Sequence, residues 1–330
     1  MYRERATEPL VAARAAGRAG VGAYTSSFGR WDRLAGVRTR TQRSFTASGS
    51  LYFPPELHPV ATHPVVTRRG AEQVEWLLLR RLHDYLDFTT ELESLAVIPV
   101  VTAISRGRSG LHLPEGMRAD AFKIVTDEAW HAQASYDFAH QVQRASAVPV
   151  GRPHSGPPAF TERLDVIRDR LPHEIRGVEA IVFAIVSETL ISGILSEIPR
   201  DERLPRSLRD HVRDHAEDEG RHHVYFRAVL RHLWAALTPK ERRAVGPHVP
   251  AAIYAFLAPD YARAIEDLRM LGLPERSVEQ VVEESWPEER VVRDVSEASR
   301  PLVRYFAEVG ALDDPGTRNA FEEAGLLGRD

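Results

Sequence analysis

Three observations predict an all-α chain whose four long helices form a bundle. Apolar residues recur at three-to-four spacing over long stretches, and convincing period-two alternation is confined to short pieces. Proline and glycine clusters fall between the periodic stretches. At 330 residues and 43% hydrophobic, the chain can bury one large core or two modest ones.

Residues 1–50 are rich in Arg, Gly, Ser and Thr with weak periodicity, so 1–64 reads as a mostly irregular arm with room for one short helix. Its basic character admits a partner-binding role, but an arm lying over the bundle or a dimer mate is the plainer expectation. Pro54, Pro55, Pro59 and Pro64 keep helix from propagating at its end. Val74, Leu77, Leu78, Leu82, Tyr85, Leu86, Leu92 and Leu95 then mark a first helix over about 65–106, which Pro99 should kink or end. After a break at Gly107–Gly110 and Pro114, a second helix covers about 115–145, followed by a Pro/Gly-rich loop from Pro149 to Pro158. Third and fourth helices cover about 163–198 and 204–237, with Pro199 and Pro205 at the turn between them. The expected organisation is one helical domain over 65–330, with its core at 65–237 and shorter helices over 247–330.

Composition narrows the chemistry. The chain has no cysteine, which removes disulfides, thiolate metal sites and cysteine nucleophiles, so any metal must be held by carboxylate and imidazole. A formal charge of −4 offers no general attraction to nucleic acid. The chain reads as having no membrane-spanning run and no secretory h-region, so the expected location is the cytoplasm.

The stretch DHAEDEGRHHVYF, Asp214 to Phe226, carries the first chemical signal. On a helix, His215, Glu219 and His222 stand at i, i+4 and i+7 and share one face. His223 points elsewhere, and His223 and Glu217 read as bystanders. A second stretch, TDEAWH, holds Glu128 and His131 at i, i+3, and Glu-x-x-His occurs nowhere else in the chain. Both copies have the form DExxH. In carboxylate-bridged dinuclear bundles two helices supply Glu-x-x-His and the other two supply one Glu each. Upstream of the second copy, Glu188 sits in an almost wholly apolar helix, where an isolated carboxylate would cost several kcal/mol of desolvation unless paired or metal-bound. Upstream of the first, either Glu91 or Glu93 could serve. The pattern calls for two divalent ions, iron or manganese, with His215 as an extra nitrogen ligand that makes the site asymmetric. Asp127 is expected to orient His222, and Asp218 to orient His131, each accepting a hydrogen bond from the imidazole Nδ1–H.

With Glu93, Glu128-Ala-Trp-His131, Glu188 and His215-Ala-Glu-Asp-Glu219-Gly-Arg-His222, the chain resembles the p-aminobenzoate N-oxygenase (AurF-like) family of non-haem di-iron enzymes. The DExxH pairs are common to ferritin-like oxygenases, and His215 is the specific element. The resemblance selects Glu93 over Glu91 and implies a ferritin-like bundle and a homodimer. It also implies two iron ions that activate O2 and transfer oxygen to an amine in the biosynthesis of a small secondary metabolite. On that reading the di-iron centre does the chemistry without a protein nucleophile. The product is a hydroxylamine, nitroso, nitro or azoxy compound, and electrons come from an external donor such as a reductase. Tyr85, Phe88, Thr89, Ile191 and Ile194 are the expected substrate contacts. An Arg one turn before Glu93 or an Asn about two turns after Glu188 would suit an aminobenzoate carboxylate. The residues actually present there predict a more apolar pocket. The competing readings are a di-iron C–H hydroxylase or desaturase and a ferritin-like iron- or peroxide-handling protein.

Overall fold

The structure, a computed structural model, describes residues 22–146 and 158–328, with the side chain of Ile194 outside that set. It is an all-α bundle, and no strand occurs among the described residues. Most of the loop expected at Pro149–Pro158 lies outside the described residues, as does the start of the arm.

The described part of the arm holds several short helices rather than one. Helices α1 (Trp31–Leu34) and α2 (Gly36–Thr39) come first, then α3 (Pro59–Thr62) and α4 (Pro64–Thr67), the last two each starting on a proline whose fixed φ suits a first helical position. The arm lies over the bundle through specific bonds. Gln42 Nε2 donates to Asp137 Oδ2 at 2.7 Å, Phe45 N to Gln141 Oε1 at 2.8 Å, and Thr46 N to Ser207 Oγ at 3.1 Å.

The first bundle helix, α5 (Ala71–Leu92), buries Leu78, Leu82, Tyr85, Leu86, Thr89 and Leu92 on one side. It passes through a π-turn, Glu93–Val97, into α6 (Ile98–Ser105). Pro99 therefore does not end the helix. A proline lacks the N–H that would reach Leu95 O, and its ring crowds that carbonyl. The wider turn absorbs both effects, with Ile98 N–H donating to Glu93 O five residues back. Leu95, expected in the core stripe, is instead 47% exposed, because the extra residue in the turn rotates it outward.

Helix α7 (Glu115–Ser146) runs as expected. The third predicted helix is two helices, α8 (Ala159–Arg170) and α9 (Val178–Glu197), separated by Pro172 and by Gly177 at φ 99°. Pro172 biases Leu171 away from helical backbone, and Gly177 takes a left-handed conformation that a side chain resists. Helix α9 packs against α8 and against α10 (Arg206–Ala236), which follows it. The remaining helices are α11 (Pro239–Val245), α12 (Val249–Leu257), α13 (Tyr261–Met270), α14 (Glu275–Ser285), α15 (Glu288–Glu308) and α16 (Pro315–Glu323).

Helices α12 and α15 cover the far side of α9, which explains why α9 is apolar all round: Ile181, Phe183, Ala184, Ile185 and Val186 are all fully buried. By length and composition alone, Ala71–Ser105 and Val178–Arg200 could cross a membrane, contrary to the sequence expectation. For the second, 82% of its most apolar window is buried by neighbouring helices, so its hydropathy is that of a bundle centre. A buried pair, Arg80 Nε to Asp267 Oδ1 at 3.1 Å, ties α5 to α13. Replacing Gly177 by Ala forces a Cβ into the left-handed region, a cost of about 1–2 kcal/mol. Urea denaturation of Gly177→Ala should show that loss with an unchanged m-value; unaltered stability would contradict this account of the break.

Candidate metal centre

Four helical segments bring four glutamates together. Glu93 comes from the π-turn, Glu128 from α7, Glu188 from α9 and Glu219 from α10, and all four are 0% exposed. Glu91, the alternative to Glu93, is half-buried and pairs with Arg263 instead. His131, His215 and His222 are buried beside them. The i, i+3 and i, i+4 spacings work as helix geometry requires. His131 Nδ1 lies 2.8 Å from Glu128 Oε2, and His215 Nε2 lies 2.9 Å from Glu219 Oε1.

Donor atoms within 4.8 Å of one another fall into two groups, one of Glu128, His131, His215 and Glu219, the other of Glu128, Glu188, Glu219 and His222. Glu128 and Glu219 belong to both. Glu93 Oε1 stands 3.7 Å from His215 Nε2, on the side of the first group, and Glu188 Oε2 stands 3.5 Å from His222 Nδ1 in the second. The first group thus has two imidazoles and the second has one.

A metal fits these residues on two observations. Both carboxylate oxygens of Glu93 and of Glu188, and Glu219 Oε2, are buried without a hydrogen-bond partner. His222 Nδ1 and Glu128 Oε1 approach to 2.8 Å without hydrogen-bond geometry. Lone pairs left facing a shared space cost several kcal/mol unless a cation meets them. An oxygen-rich set with imidazole and no sulfur suits divalent iron or manganese.

Without metal, protons do this work. Burial and the neighbouring carboxylates push Glu93 and Glu188 well above the usual range, so both are held as neutral acids. Burial opposes charge on His131, but its hydrogen bonds to Asp218 and Glu128 outweigh that and raise it to about 10. His222 is raised likewise, burial being overcome by Glu128 and Glu219. The same attraction, against burial, keeps Glu128 and Glu219 low and ionised. Burial, then His131, lowers His215 and leaves it neutral.

The two aspartates cross over as the motif suggests. His222 Nε2 meets Asp127 Oδ2 at 3.2 Å, and His131 Nε2 meets Asp218 Oδ2 at 3.1 Å. The nitrogen is the reverse of the one expected. Nδ1, close to the backbone, faces the glutamates inside, and the distal Nε2 is the atom long enough to reach the other helix. Sequence reasoning missed what holds the aspartates from outside. Trp31 Nε1 donates to both oxygens of Asp127 at 2.9 Å, and Gly36 N to Asp218 at 3.1 and 3.2 Å. It also missed His211, one turn before His215 and readable from that spacing. Buried and stacked on Phe138 at 4.6 Å, His211 lines a small cleft that reaches His131 and His215.

The expected substrate contacts divide. Tyr85 lies on the helix face that leads to Glu93, and burial, aided by Glu93 and Glu219 against Arg81, keeps its phenol protonated. The Thr89 hydroxyl donates to Tyr85 O at 3.0 Å, and Ile191 is buried one turn beyond Glu188. Phe88 is instead part of an aromatic cluster, 6.0 Å from both Phe160 and Phe256, because its position on α5 faces α8 and α12. Ile194 lies outside the described side chains. The two residues set aside as bystanders have partners of their own. His223 Nε2 is 3.0 Å from the Tyr305 hydroxyl, and Glu217 pairs with Arg40.

Taken with what the chain is similar to, this cluster in an all-α bundle makes the protein an oxygenase. A family model described as P-aminobenzoate N-oxygenase AurF matches residues 42–310, and the chain belongs to that family. A 4-aminobenzoate N-oxygenase of Streptomyces thioluteus is 24% identical over 268 residues, covering 79% of this chain and 77% of that one.

The protonation pattern sets a pH dependence. The folded His131 value lies above its ordinary 6.5, so its stabilisation is complete below about 6.5 and is lost as pH rises towards about 10. The raised Glu93 and Glu188 carboxyls act in the same direction. The chelator-stripped protein should therefore melt at progressively lower temperature between about pH 6.5 and 10, and added Fe(II) or Mn(II) should flatten the curve. A stripped protein whose melting temperature ignores pH in that window would contradict the pattern.

Proposed function

We propose that the protein inserts oxygen from O2 at the nitrogen of an arylamine, using two iron ions, with manganese as the alternative metal. The supporting observation is the pair of donor groups that share Glu128 and Glu219. On this reading Glu93, Glu128, Glu188 and Glu219 would hold the ions together with His131, His215 and His222, Glu128 and Glu219 being the two residues that both donor groups share. The ions, when bound, supply O2 activation and the electron-pair acceptor that oxygen transfer needs.

The protein's own residues prepare the site. Asp127 and Asp218 hold the imidazole rings of His222 and His131 so that Nδ1 faces inward. Burial of all four glutamates excludes bulk water and keeps their charge for the ions. Tyr85 offers a protonated hydroxyl on the side of Glu93, and Ile191 an apolar wall beyond Glu188. The chain has Thr89 one turn before Glu93, where an arginine would suit an aminobenzoate carboxylate, and the Thr89 hydroxyl is taken up by Tyr85 O. This supports an arylamine less acidic than the substrate named for the Streptomyces relative.

The overall change balances with an external donor. An amine, O2, two electrons and two protons give a hydroxylamine and water, and further rounds lead towards nitroso, nitro or azoxy products. A reductase or a chemical donor supplies the electrons. The reading also includes a homodimer at work in the cytoplasm in the biosynthesis of a small secondary metabolite, with 65–330 as one domain. Protein loaded with Fe(II) is mixed with isotopically labelled O2, a reductant and a panel of amines, and products are identified by mass. Label on the nitrogen of an arylamine product is expected. His215→Ala, which removes a ligand on this reading, should lower turnover by more than the ~10–100-fold typical of partners outside the ligand set. Label on ring or alkyl carbon instead, or consumption of O2 with no labelled organic product, would overturn the N-oxygenation reading.

A further inference from the structure

The segment Phe28–Gly36 lies across both aspartate–histidine pairs of the cluster, and it precedes residue 42, where the family match begins. The Phe28 ring stacks on His222, with centroids 6.0 Å apart and planes 19° from parallel. Three residues later, Trp31 Nε1–H donates to both Asp127 oxygens, one of which also faces His222 Nε2. Five residues further on, Gly36 N–H donates to both oxygens of Asp218, the partner of His131. Gly36 stands so close that a Cβ there would come within 2.8 Å of Asp218 Oδ2. Arg38 lies over the Trp31 ring at 5.4 Å and holds it in place from the solvent side.

We propose that Trp31 and Gly36 are positioning residues for the metal centre, each serving one of its two sites through one aspartate. This rests on reading the cluster as a metal centre. Asp127 and Asp218 are almost completely buried, so each needs its donors to come from the protein. With the indole present, both Asp127 oxygens are engaged and the carboxylate cannot turn away from His222. Trp31→Phe keeps an aromatic ring at the position, with less of the packing, and removes the N–H. One buried oxygen is then left without its donor, the carboxylate turns or admits water, and His222 loses its fixed orientation. His222 belongs to the group with Glu188, so that site weakens. Gly36→Ala keeps the N–H but pushes a methyl group onto Asp218. The consequence falls on His131 and the other group, which contains His215. A segment that merely covered the bundle would affect both sites alike.

Mn(II) titrations of the full chain followed by calorimetry test this without turnover. The expected wild-type result is two ions with resolvable affinities. Trp31→Phe should weaken one site by about 10-fold, the lower end for partners outside the ligand set, and leave the second within about 2-fold. Gly36→Ala should weaken the opposite site. Trp31→Phe combined with Asp127→Asn should bind no more weakly than Asp127→Asn alone, since both act through one carboxylate. Arg33→Ala, an exposed change on the same short helix, should leave both affinities unaltered. Wild-type affinities in Trp31→Phe and Gly36→Ala, equal weakening of both sites, or multiplicative losses in the double variant would each overturn the proposal. A wild-type chain that takes up no metal would instead overturn the metal-centre reading on which it stands.

Discussion

Four glutamates with no solvent contact, converging from four helical segments, are the constraint on which the rest of the structure depends. Four ionised carboxylates cannot share a dry space without positive charge of equal weight. In the bare protein that charge is assembled from two imidazoliums, while two of the carboxyls stay protonated. Two divalent cations match the four carboxylates directly. The packing around the cluster is therefore built to resist expansion, with α9 buried on all sides and the C-terminal helices backing it.

Function follows from the way this charge is shared. Glu128 and Glu219 belong to both donor groups, so two ions held there would sit side by side. The third imidazole, His215, breaks the near-twofold pattern of the two Glu…DExxH halves and gives the two donor groups unequal nitrogen content. The cleft that reaches His131 and His215 opens on the side richer in nitrogen. The arm closes over the aspartates from outside, which couples a segment far away in sequence to the innermost histidines.

Much of this was legible in the chain because helix periodicity is local. The two Glu-x-x-His pairs declare themselves by spacing, and Glu188 by being the one charge in the long apolar stretch between Glu179 and Glu197, where burial would otherwise strand it. Glu93 was harder, since Glu91 stands two residues away and the apolar residues around both leave either carboxylate open to partial exposure. The π-turn before Pro99 depends on how a proline is accommodated against packed neighbours. The break at Pro172 and Gly177 was missed because the apolar pattern continues on both sides of it. Trp31 and Gly36 were not legible at all. Their bonds join residues 96 and 182 positions apart, and nothing near either residue in sequence announces a partner. The choice of imidazole nitrogen likewise depends on the distance between helices.

The most direct test of the central claim is an anomalous-scattering map from crystals of the protein loaded anaerobically with Fe(II). The account predicts two iron peaks, both in contact with the carboxylates of Glu128 and Glu219, with His131 and His215 at one and His222 at the other. A single peak, or iron bound away from these glutamates, would contradict it.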